Sequence, residues 1–279
     1  MPATLSMSRE VCPVVAITRP AARYVLATLR APYIAKTFRP GQFVMAHGFD
    51  GADPLLPRPL AICDADPVAG TIRLLLMPVG RGTKLLCDES RNLHSNWRLL
   101  GPLGRGFWPF PATTHAICVA GGTGAAALIS WAQECARKPG LTPILLIGAR
   151  DKSGILEDAF FTNQPTQYRV ERSTDNGELG FHGTVVGLLE KVLRELPRGS
   201  QPALYVAGPD RMMRAVAAVA ADRDLPCQVS LEERMACGVG ICRACVVNGC
   251  TPHAETGLKR RAVCCDGPVF SREELEAYR

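Results

Sequence analysis

The pattern of apolar and polar positions changes character near residue 115. Before that point, short apolar or alternating runs are separated by proline and glycine, as is typical of strands joined by tight turns. The predicted strands span residues 11–18, 24–29, 42–46, 72–78 and 97–101. Many short strands with frequent turns favour a small barrel or a sandwich over roughly the first 110 residues.

Beyond residue 115, buried apolar runs alternate with stretches of helical periodicity. Strands are predicted at 115–120, 142–148, 168–173 and 203–207, and helices at 125–137, 154–161, 185–196 and 210–222. This alternation predicts a doubly wound parallel sheet. Residues 225–231 form a closing strand or a linker to the last segment. The predicted organisation is a β domain at 1–111, an α/β domain at 112–225 and an appendage at 226–279.

The appendage is rich in cysteine. Residues 237–265 hold six of the twelve cysteines of the chain. Cys237, Cys242 and Cys245 have the spacing Cys-x4-Cys-x2-Cys, which plant-type ferredoxins use for a 2Fe-2S cluster with a fourth cysteine from further along the chain. Either Cys264 or Cys265 supplies that fourth ligand on this reasoning.

The glycines of the cysteine segment support the same interpretation. Gly238 and Gly240 allow a short loop to wrap around a cluster and bring backbone N–H groups close to its sulfurs. A zinc site is the alternative, because four thiolates also suit zinc. Zinc sites more often contain paired Cys-x2-Cys knuckles, and only Cys242 and Cys245 have that spacing here.

Composition narrows the class of protein. The chain has 279 residues, of which 47% are hydrophobic, and no apolar run approaches the ~20 residues of a membrane span. The N-terminal residues lack the layout of a signal peptide, so twelve cysteines indicate reduced thiols in the cytoplasm. The net charge of +6 comes from scattered basic residues, which argues against a nucleic-acid-binding protein.

Two glycine turns are predicted at the carboxyl edge of the parallel sheet. They consist of Gly121, Gly122, Thr123 and Gly124 after the first strand, and of Gly208 and Pro209 after the strand at 203–207. Such turns present backbone N–H groups to a pyrophosphate, and ligands of open α/β sheets bind along this edge. Tight strand-to-helix turns also need glycine for steric reasons, so the first turn alone is a weak signal.

The β domain contains a second candidate site. Arg58, Pro59, Leu60 and Ala61 open an apolar strand, and Gly82 and Thr83 lie in another glycine turn. An arginine beside backbone donors suits a diphosphate. The alternative is a pair of ordinary barrel turns with a solvated arginine. No Ser-His-Asp grouping stands out, and no catalytic side chain is predicted.

In this order, the motifs resemble those of the ferredoxin-reductase-like electron-transfer subunits, most closely that of NAD-linked dihydroorotate dehydrogenase. They are RPGQF at 39–43, PRPLA at 57–61, VGRGT at 79–83, GGTG at 121–124, VAGP at 206–209, residues 231–247 and RAVCCDGPVF at 261–270. The last motif is the most specific. In this family the ligand cysteine stands one residue before Asp-Gly-Pro-Val-Phe, which implies that Cys264 is the fourth ligand and that Cys250 and Cys265 are extra.

The resemblance implies a β-barrel that binds FAD. Arg58, Pro59, Leu60 and Ala61 would run from the phosphates to the isoalloxazine, Leu75, Leu76 and Met77 would line the flavin, and Gly82 and Thr83 would hold the diphosphate. NAD, as substrate, would lie along the two glycine turns of the α/β domain.

The resemblance also implies a partner, an FMN-containing catalytic subunit that oxidises dihydroorotate in pyrimidine biosynthesis, in a heterotetramer of two plus two chains. Electrons would pass from FMN through the 2Fe-2S cluster and FAD to NAD. Two alternatives stay open at this point. One is a reductase subunit of a hydrogenase, a sulfite reductase or a ferredoxin:NADP oxidoreductase, and the other is a zinc-bound interaction protein without redox chemistry.

Overall fold

A computed structural model describes residues 7–48, 53–162 and 168–279 of the chain. Its N-terminal part is a closed antiparallel barrel with the strand order β1-β2-β5-β4-β3-β6. These strands are β1 (Ser8–Ala21), β2 (Tyr24–Arg30), β3 (Phe43–His47), β4 (Arg58–Asp66), β5 (Thr71–Leu76) and β6 (Asn96–Leu103). Short helices lie between them: α1 (Pro32–Thr37), α2 (Arg81–Leu86) and α3 (Glu89–Asn92). Of the predicted barrel or sandwich, the barrel is therefore correct.

Some barrel strands are buried on both faces. Val25, Ala27 and Leu29 of β2 fill the barrel interior, whereas Tyr24 and Leu26 pack against the following α/β part. Side chains of a strand alternate between its two faces, so one strand serves two cores. This explains why β2 reads as an apolar run rather than an alternating one.

The second part is a seven-stranded sheet with the order β10-β9-β8-β7-β11-β12-β15. Its first six strands in the chain are β7 (His115–Gly121), β8 (Thr142–Ala149), β9 (Arg169–Thr174), β10 (Phe181–His182), β11 (Pro202–Ala207) and β12 (Cys227–Ser230), and they pair in parallel. The helices are α4 (Ala125–Ala136), α5 (Asp158–Thr162), α6 (Val185–Glu195) and α7 (Asp210–Asp222). The predicted doubly wound sheet is confirmed.

The C-terminal segment returns to this sheet. After a hairpin of β13 (Val246–Asn248) and β14 (Arg260–Ala262) and the short helix α8 (Val263–Asp266), β15 (Val269–Ser271) pairs antiparallel with β12. Arg105, just after the barrel, donates to the carbonyl of Val269 and forms an ion pair with Glu274. The cysteine segment is thereby attached to both other parts of the molecule. The domain boundaries after residues 111 and 225 stay a prediction.

One local prediction needs correction. The predicted helix at 154–161 is wrong over its first half: a 3-10 turn covers Lys152–Gly154, and α5 begins only at Asp158. The apolar residues Ile155 and Leu156 are buried core residues rather than one face of a helix, and the N–H of Glu157 donates to the carbonyl of Pro20 of β1.

Among the described residues, no helix is both long and apolar enough to cross a membrane.

Candidate redox site

The four predicted ligand cysteines lie together as two pairs. The backbone N–H of Cys242 donates to Sγ of Cys237, and the backbone N–H of Cys264 donates to Sγ of Cys245, both at 3.4 Å. Each iron of a 2Fe-2S cluster takes two of the four cysteine sulfurs. The two pairs therefore fit the thiolate set of a binuclear cluster.

Backbone N–H groups point at these sulfurs. Cys237 Sγ accepts from the N–H groups of Val239 and Cys242, both at 3.4 Å, and Cys264 Sγ accepts from Gly240 at 3.1 Å. Gly238 and Gly240 have φ of 73° and 80°, the left-handed region in which glycine is unstrained. Such N–H donors stabilise negative charge on cluster sulfurs. The loop is folded as the sequence predicts.

The same donors affect the Cys237 thiol. Partial burial raises its pKa, but the N–H groups of Cys242 and Val239 and the Cys242 thiol outweigh burial and bring the pKa down to about 7. Burial and the hydrogen bond to Cys245 instead raise the pKa of the Cys264 thiol. The loop thus favours a thiolate at Cys237 even before a metal binds, and thiolates are the form that binds iron.

A mononuclear zinc site requires a different arrangement, in which four ligands converge on one point. Within residues 7–48, 53–162 and 168–279, no three Cys, His, Asp or Glu side chains are grouped so as to hold a single metal ion. The cysteine spacing and the N–H donors to the sulfurs, rather than this absence, favour the binuclear cluster.

The cysteine loop packs directly against the barrel. A β-carbon added at Gly238 would lie 2.5 Å from Met45 of β3 and 3.1 Å from Leu103 of β6. Met45 pairs with Pro59 of β4, the residue after Arg58. A cavity of about 360 Å³ opens beside Cys237 and is lined by Met45, Pro57 and the cationic side chains of Arg9 and Arg98, among others. The cysteine loop therefore contacts β3, which pairs directly with β4, the strand that begins at Arg58.

Arg58 and the second glycine turn meet in space. A β-carbon at Gly82 would overlap the Arg58 guanidinium, which also donates to the carbonyl of Leu56. The turn is the first turn of α2, and Thr83 Oγ1 accepts from the N–H groups of Val79 (3.1 Å) and Gly80 (3.0 Å). A guanidinium over a glycine backbone is a suitable cradle for a diphosphate. Thr83 stabilises the turn itself.

The predicted flavin-lining residues divide by face. Ala61, Leu75 and Met77 pack towards the α/β part, against the cluster that includes Trp108 and α4 residues. Leu60 and Leu76 pack into the barrel interior instead. Neighbouring residues of a strand face opposite sides, so a flavin between barrel and sheet would contact the first three side chains and not the other two.

The two glycine turns of the α/β part interlock at the carboxyl edge of the sheet. A β-carbon at Gly124 would overlap the backbone of Ala207 and lie 2.6 Å from the nitrogen of Gly208. One at Gly208 would lie 2.7 Å from the carbonyl oxygen of Gly121. In the sheet, β7 has β8 on one side and β11 on the other. The strand order therefore reverses direction between β7 and β11, and open α/β sheets bind ligands at such a switch point. The two turns lie on either side of it.

Two methionines complete these contacts, and the sequence did not single them out. Met45 separates the cysteine loop from β4, and Met212 of α7 packs against Gly121 and Gly208, with its Sδ 2.7 Å from a β-carbon placed at Gly121. Methionine fills irregular gaps in many structural contexts, so it carries no signal in one sequence.

Comparison with known proteins agrees with this geometry. Residues 232–276 match the family model described as the iron-sulfur cluster binding domain of dihydroorotate dehydrogenase B. The chain is 40% identical to the electron transfer subunit of dihydroorotate dehydrogenase B (NAD(+)) of Desulforamulus reducens over 241 residues, which are 86% of this chain and 87% of that protein. It is 36% identical to the same subunit of Geobacillus thermodenitrificans, over 96% of this chain and 99% of that protein.

Solved structures show the same architecture. A structure of NADH-dependent reduced ferredoxin-NADP oxidoreductase, reported in connection with flavin-based electron bifurcation, superposes with a TM-score of 0.78 at 26% identity, covering 99% of this chain and 91% of that chain. A ferredoxin NADP+ reductase from Neisseria gonorrhoeae, with bound FAD and NADP, has a TM-score of 0.61 at 15% identity, covering 78% and 92%. The second likeness concerns the fold alone.

The predicted fold class, family and oxidoreductase class are confirmed by these matches. The two curated relatives exceed 30% identity over most of both chains, and the family model covers the paired cysteines. The chain therefore belongs to the family of electron transfer subunits of NAD(+)-linked dihydroorotate dehydrogenase B.

Proposed function

We propose that this chain, in the cytoplasm, carries electrons from a dihydroorotate-oxidising subunit to NAD, with a 2Fe-2S cluster and FAD as its bound redox groups. An electron transfer subunit requires a catalytic partner, and the relatives named above are such subunits. FAD, when bound, exchanges single electrons with a cluster and a hydride with nicotinamide, which a cluster cannot do alone.

The observation that carries the proposal is the contact between the cysteine loop and the barrel. Gly238 packs on Met45, Met45 pairs with Pro59, and Arg58 precedes Pro59 and lies over Gly82. A cluster on the loop and a flavin along β4 would therefore be close neighbours. Short separation is what electron transfer between two bound groups requires.

The residues that would hold the cluster are Cys237, Cys242, Cys245 and Cys264. Their paired thiols and the N–H donors of Val239, Gly240 and Cys242 support this assignment. Cys265 lies beside Cys264, with the two sulfurs 3.7 Å apart. The choice of Cys264 as the ligand rests on the register of the family motif.

The residues that would hold FAD centre on Arg58, Gly82 and Ala61. The guanidinium of Arg58 neutralises diphosphate charge, and the missing side chain at Gly82 leaves room for this guanidinium. Ala61, Leu75 and Met77 present an apolar face to the ring system. NAD would lie along Gly121, Gly122, Thr123, Gly124, Gly208 and Pro209. There the interlocked turns exclude side chains from the sheet edge and present backbone instead.

The catalytic partner is proposed to carry FMN and to assemble with this chain as two plus two subunits. The tip of the cysteine loop is its contact surface: Ile241 is 82% exposed and Cys242 is exposed next to it. An apolar side chain at the rim of a cluster site is suited to burial against a partner, and it brings the donor close to the cluster.

The first test is cofactor content. Protein purified without oxygen should contain about two irons, two sulfides and one FAD per chain, and it should give the EPR signal of a 2Fe-2S cluster once reduced. Stoichiometric zinc in protein made with ample iron, or bound FMN in place of FAD, would contradict the proposal. Co-purification of a dihydroorotate-oxidising flavoprotein from the native cell tests the partner.

A second candidate function has one specific observation in its favour. The structure with a TM-score of 0.78 belongs to a ferredoxin-NADP oxidoreductase and covers 99% of this chain. The chain would then be the reductase subunit of such a complex. Co-purification with a ferredoxin-linked or hydrogenase-like partner, and no binding of any dihydroorotate-oxidising subunit, would favour this function over the first.

A further inference from the structure

Cys265 has a position that the proposed ligand set does not explain. It is half-buried, and its Sγ lies 3.7 Å from Sγ of Cys264, within reach of a sulfur–sulfur hydrogen bond. The proposed ligand set includes Cys264 but not Cys265, although the two sulfurs are in contact. A fifth thiol therefore contacts a sulfur that, under the proposed function, is bound to iron.

The direction of this hydrogen bond follows from the chemistry of the ligand. A cysteine that binds iron does so as a thiolate, which has no proton to donate. Gly240 already donates its N–H to the same sulfur, at 3.1 Å. Between the two sulfurs, the S–H of Cys265 is then the donor and the thiolate of Cys264 is the acceptor.

The packing around Cys265 fixes its side chain. A β-carbon added at Gly240 would lie 2.7 Å from Sγ of Cys265, so this sulfur lies against the bare Cα of the loop glycine. The next residue, Asp266, accepts from the N–H of Ala262 at 2.6 Å and contacts Nε2 of His253 at 3.2 Å. The hydrogen bond between Ala262 and Asp266 thus closes the turn that carries Cys264 and Cys265.

We propose that Cys265 tunes the reduction potential of the cluster, by donating a hydrogen bond from its thiol to the ligand sulfur of Cys264. Reduction adds negative charge that the ligand sulfurs share, and a donor to such a sulfur stabilises the reduced state. Cys265 thereby raises the potential. It acts through Cys264 and is a positioning residue rather than a ligand. The inference rests on the proposed function, because it requires the cluster.

The test compares three variants by redox titration, with the EPR signal of the reduced cluster as the readout. In Cys265→Ala, the ratio of reduced to oxidised cluster at a fixed potential should fall about two- to fivefold, which corresponds to the loss of one weak hydrogen bond. Cys265→Ser keeps a donor, so its ratio should stay above that of Cys265→Ala. Cys250→Ala removes another half-buried thiol of the same segment and should leave the ratio unchanged.

A wild-type potential in Cys265→Ala would overturn the inference. So would equally low potentials in Cys265→Ser and Cys265→Ala, because the hydrogen-bond donor of serine would then have no effect. Loss of the cluster in both variants at Cys265 would make this residue a ligand and would also overturn it. Wild-type protein without iron and sulfide would refute the proposed function itself. An unchanged potential in a cluster-bearing variant refutes only the role of Cys265.

Discussion

The cysteine loop and the interlocked glycine turns perform different tasks with different parts of the chain. In the loop, the groups that would bind iron are side chains, and Cys242 at its tip is exposed. At the sheet edge, the groups available to a ligand are backbone atoms, and Gly124 and Gly208 are packed against the opposite turn. A side-chain site can be read from residue identity and spacing, whereas a backbone site becomes visible only when two distant turns are seen in contact.

The largest expected effect concerns the side-chain site. Cys264→Ser should abolish the 2Fe-2S absorption and EPR signal, because one iron loses a thiolate. Cys250→Ser should retain both signals, since its thiol belongs to neither pair. FAD content should be unchanged in the two variants. An intact cluster in Cys264→Ser would mean that the register of the ligands is wrong.

The backbone site should respond to a single methyl group. Gly124→Ala places a β-carbon on the backbone of Ala207 and Gly208, which cannot move as a flexible side chain does. We expect a loss of about 3 kcal/mol in the free energy of unfolding, at the upper end for overpacking. Gly122→Ala adds the same group in open space, with φ of 58°, and should cost only about 1 kcal/mol. Urea denaturation of both variants measures the difference, and equal losses would contradict the interlocked arrangement.

The barrel site combines a side chain with a backbone approach, and it should respond to both. Arg58→Ala should weaken FAD binding about 10- to 150-fold, the usual contribution of a charge-assisted contact. Gly82→Ala should displace the guanidinium and weaken FAD binding by about tenfold, because the charge-assisted contact would lose its geometry. Gly80→Ala is the matched control, because its β-carbon would meet nothing within 4 Å.

These affinities can be measured by titrating flavin-free protein with FAD. If Gly80→Ala and Gly82→Ala bind FAD equally well, the position of Arg58 over the turn has no role in binding.

The smallest expected effect concerns the contact between the two regions. Tyr278, at the end of the cysteine segment, donates to Asp210, the first residue of α7 after the Gly208–Pro209 turn, at 2.6 Å. The side chain of Asp210 is 58% exposed, so Tyr278→Phe should cost only about 0.5–1 kcal/mol of unfolding free energy at neutral pH. Hydrogen bonds from Arg214 and then Tyr278 lower the pKa of Asp210.

A lowered pKa gives a definite pH dependence. The contribution of Asp210 is fully present above the pKa that it has in the unfolded chain, and it is lost as pH falls through the lower pKa of the folded protein. The difference between wild type and Tyr278→Phe should therefore shrink in acid. A difference that grows as pH falls would contradict the assigned contact.

The sequence predicted what residue type and spacing determine. Strand and helix periodicity predicted a barrel or a sandwich followed by a parallel sheet, and the resemblance to the family selected the barrel. The positions of Cys237, Cys242 and Cys245 predicted the cysteine loop. The predicted helix at 154–161 was wrong over its first half because Ile155 and Leu156 are apolar as buried core residues, not as one face of a helix. A short apolar run does not distinguish these two cases.

The candidate site was less predictable where it depends on contacts between distant segments. Nothing in the run from Arg58 to Met77 distinguishes Ala61 and Leu75, which face the sheet, from Leu60 and Leu76, which face the barrel interior. That distinction depends on which faces of β4 and β5 are turned towards the α/β part. The contact of Gly238 with Met45 likewise joins residues almost 200 positions apart, and no local pattern encodes it.

The most direct test of the central claim is the reduction of NAD by dihydroorotate in a reconstituted complex. This chain alone should not oxidise dihydroorotate, and its mixture with the matching FMN subunit should form NADH. With Cys264→Ser in place of wild type, NADH formation should stop while the FMN subunit still oxidises dihydroorotate with a dye. Dihydroorotate oxidation by this chain alone, or undiminished NADH formation with the variant, would contradict its assignment as a cluster-dependent electron transfer subunit.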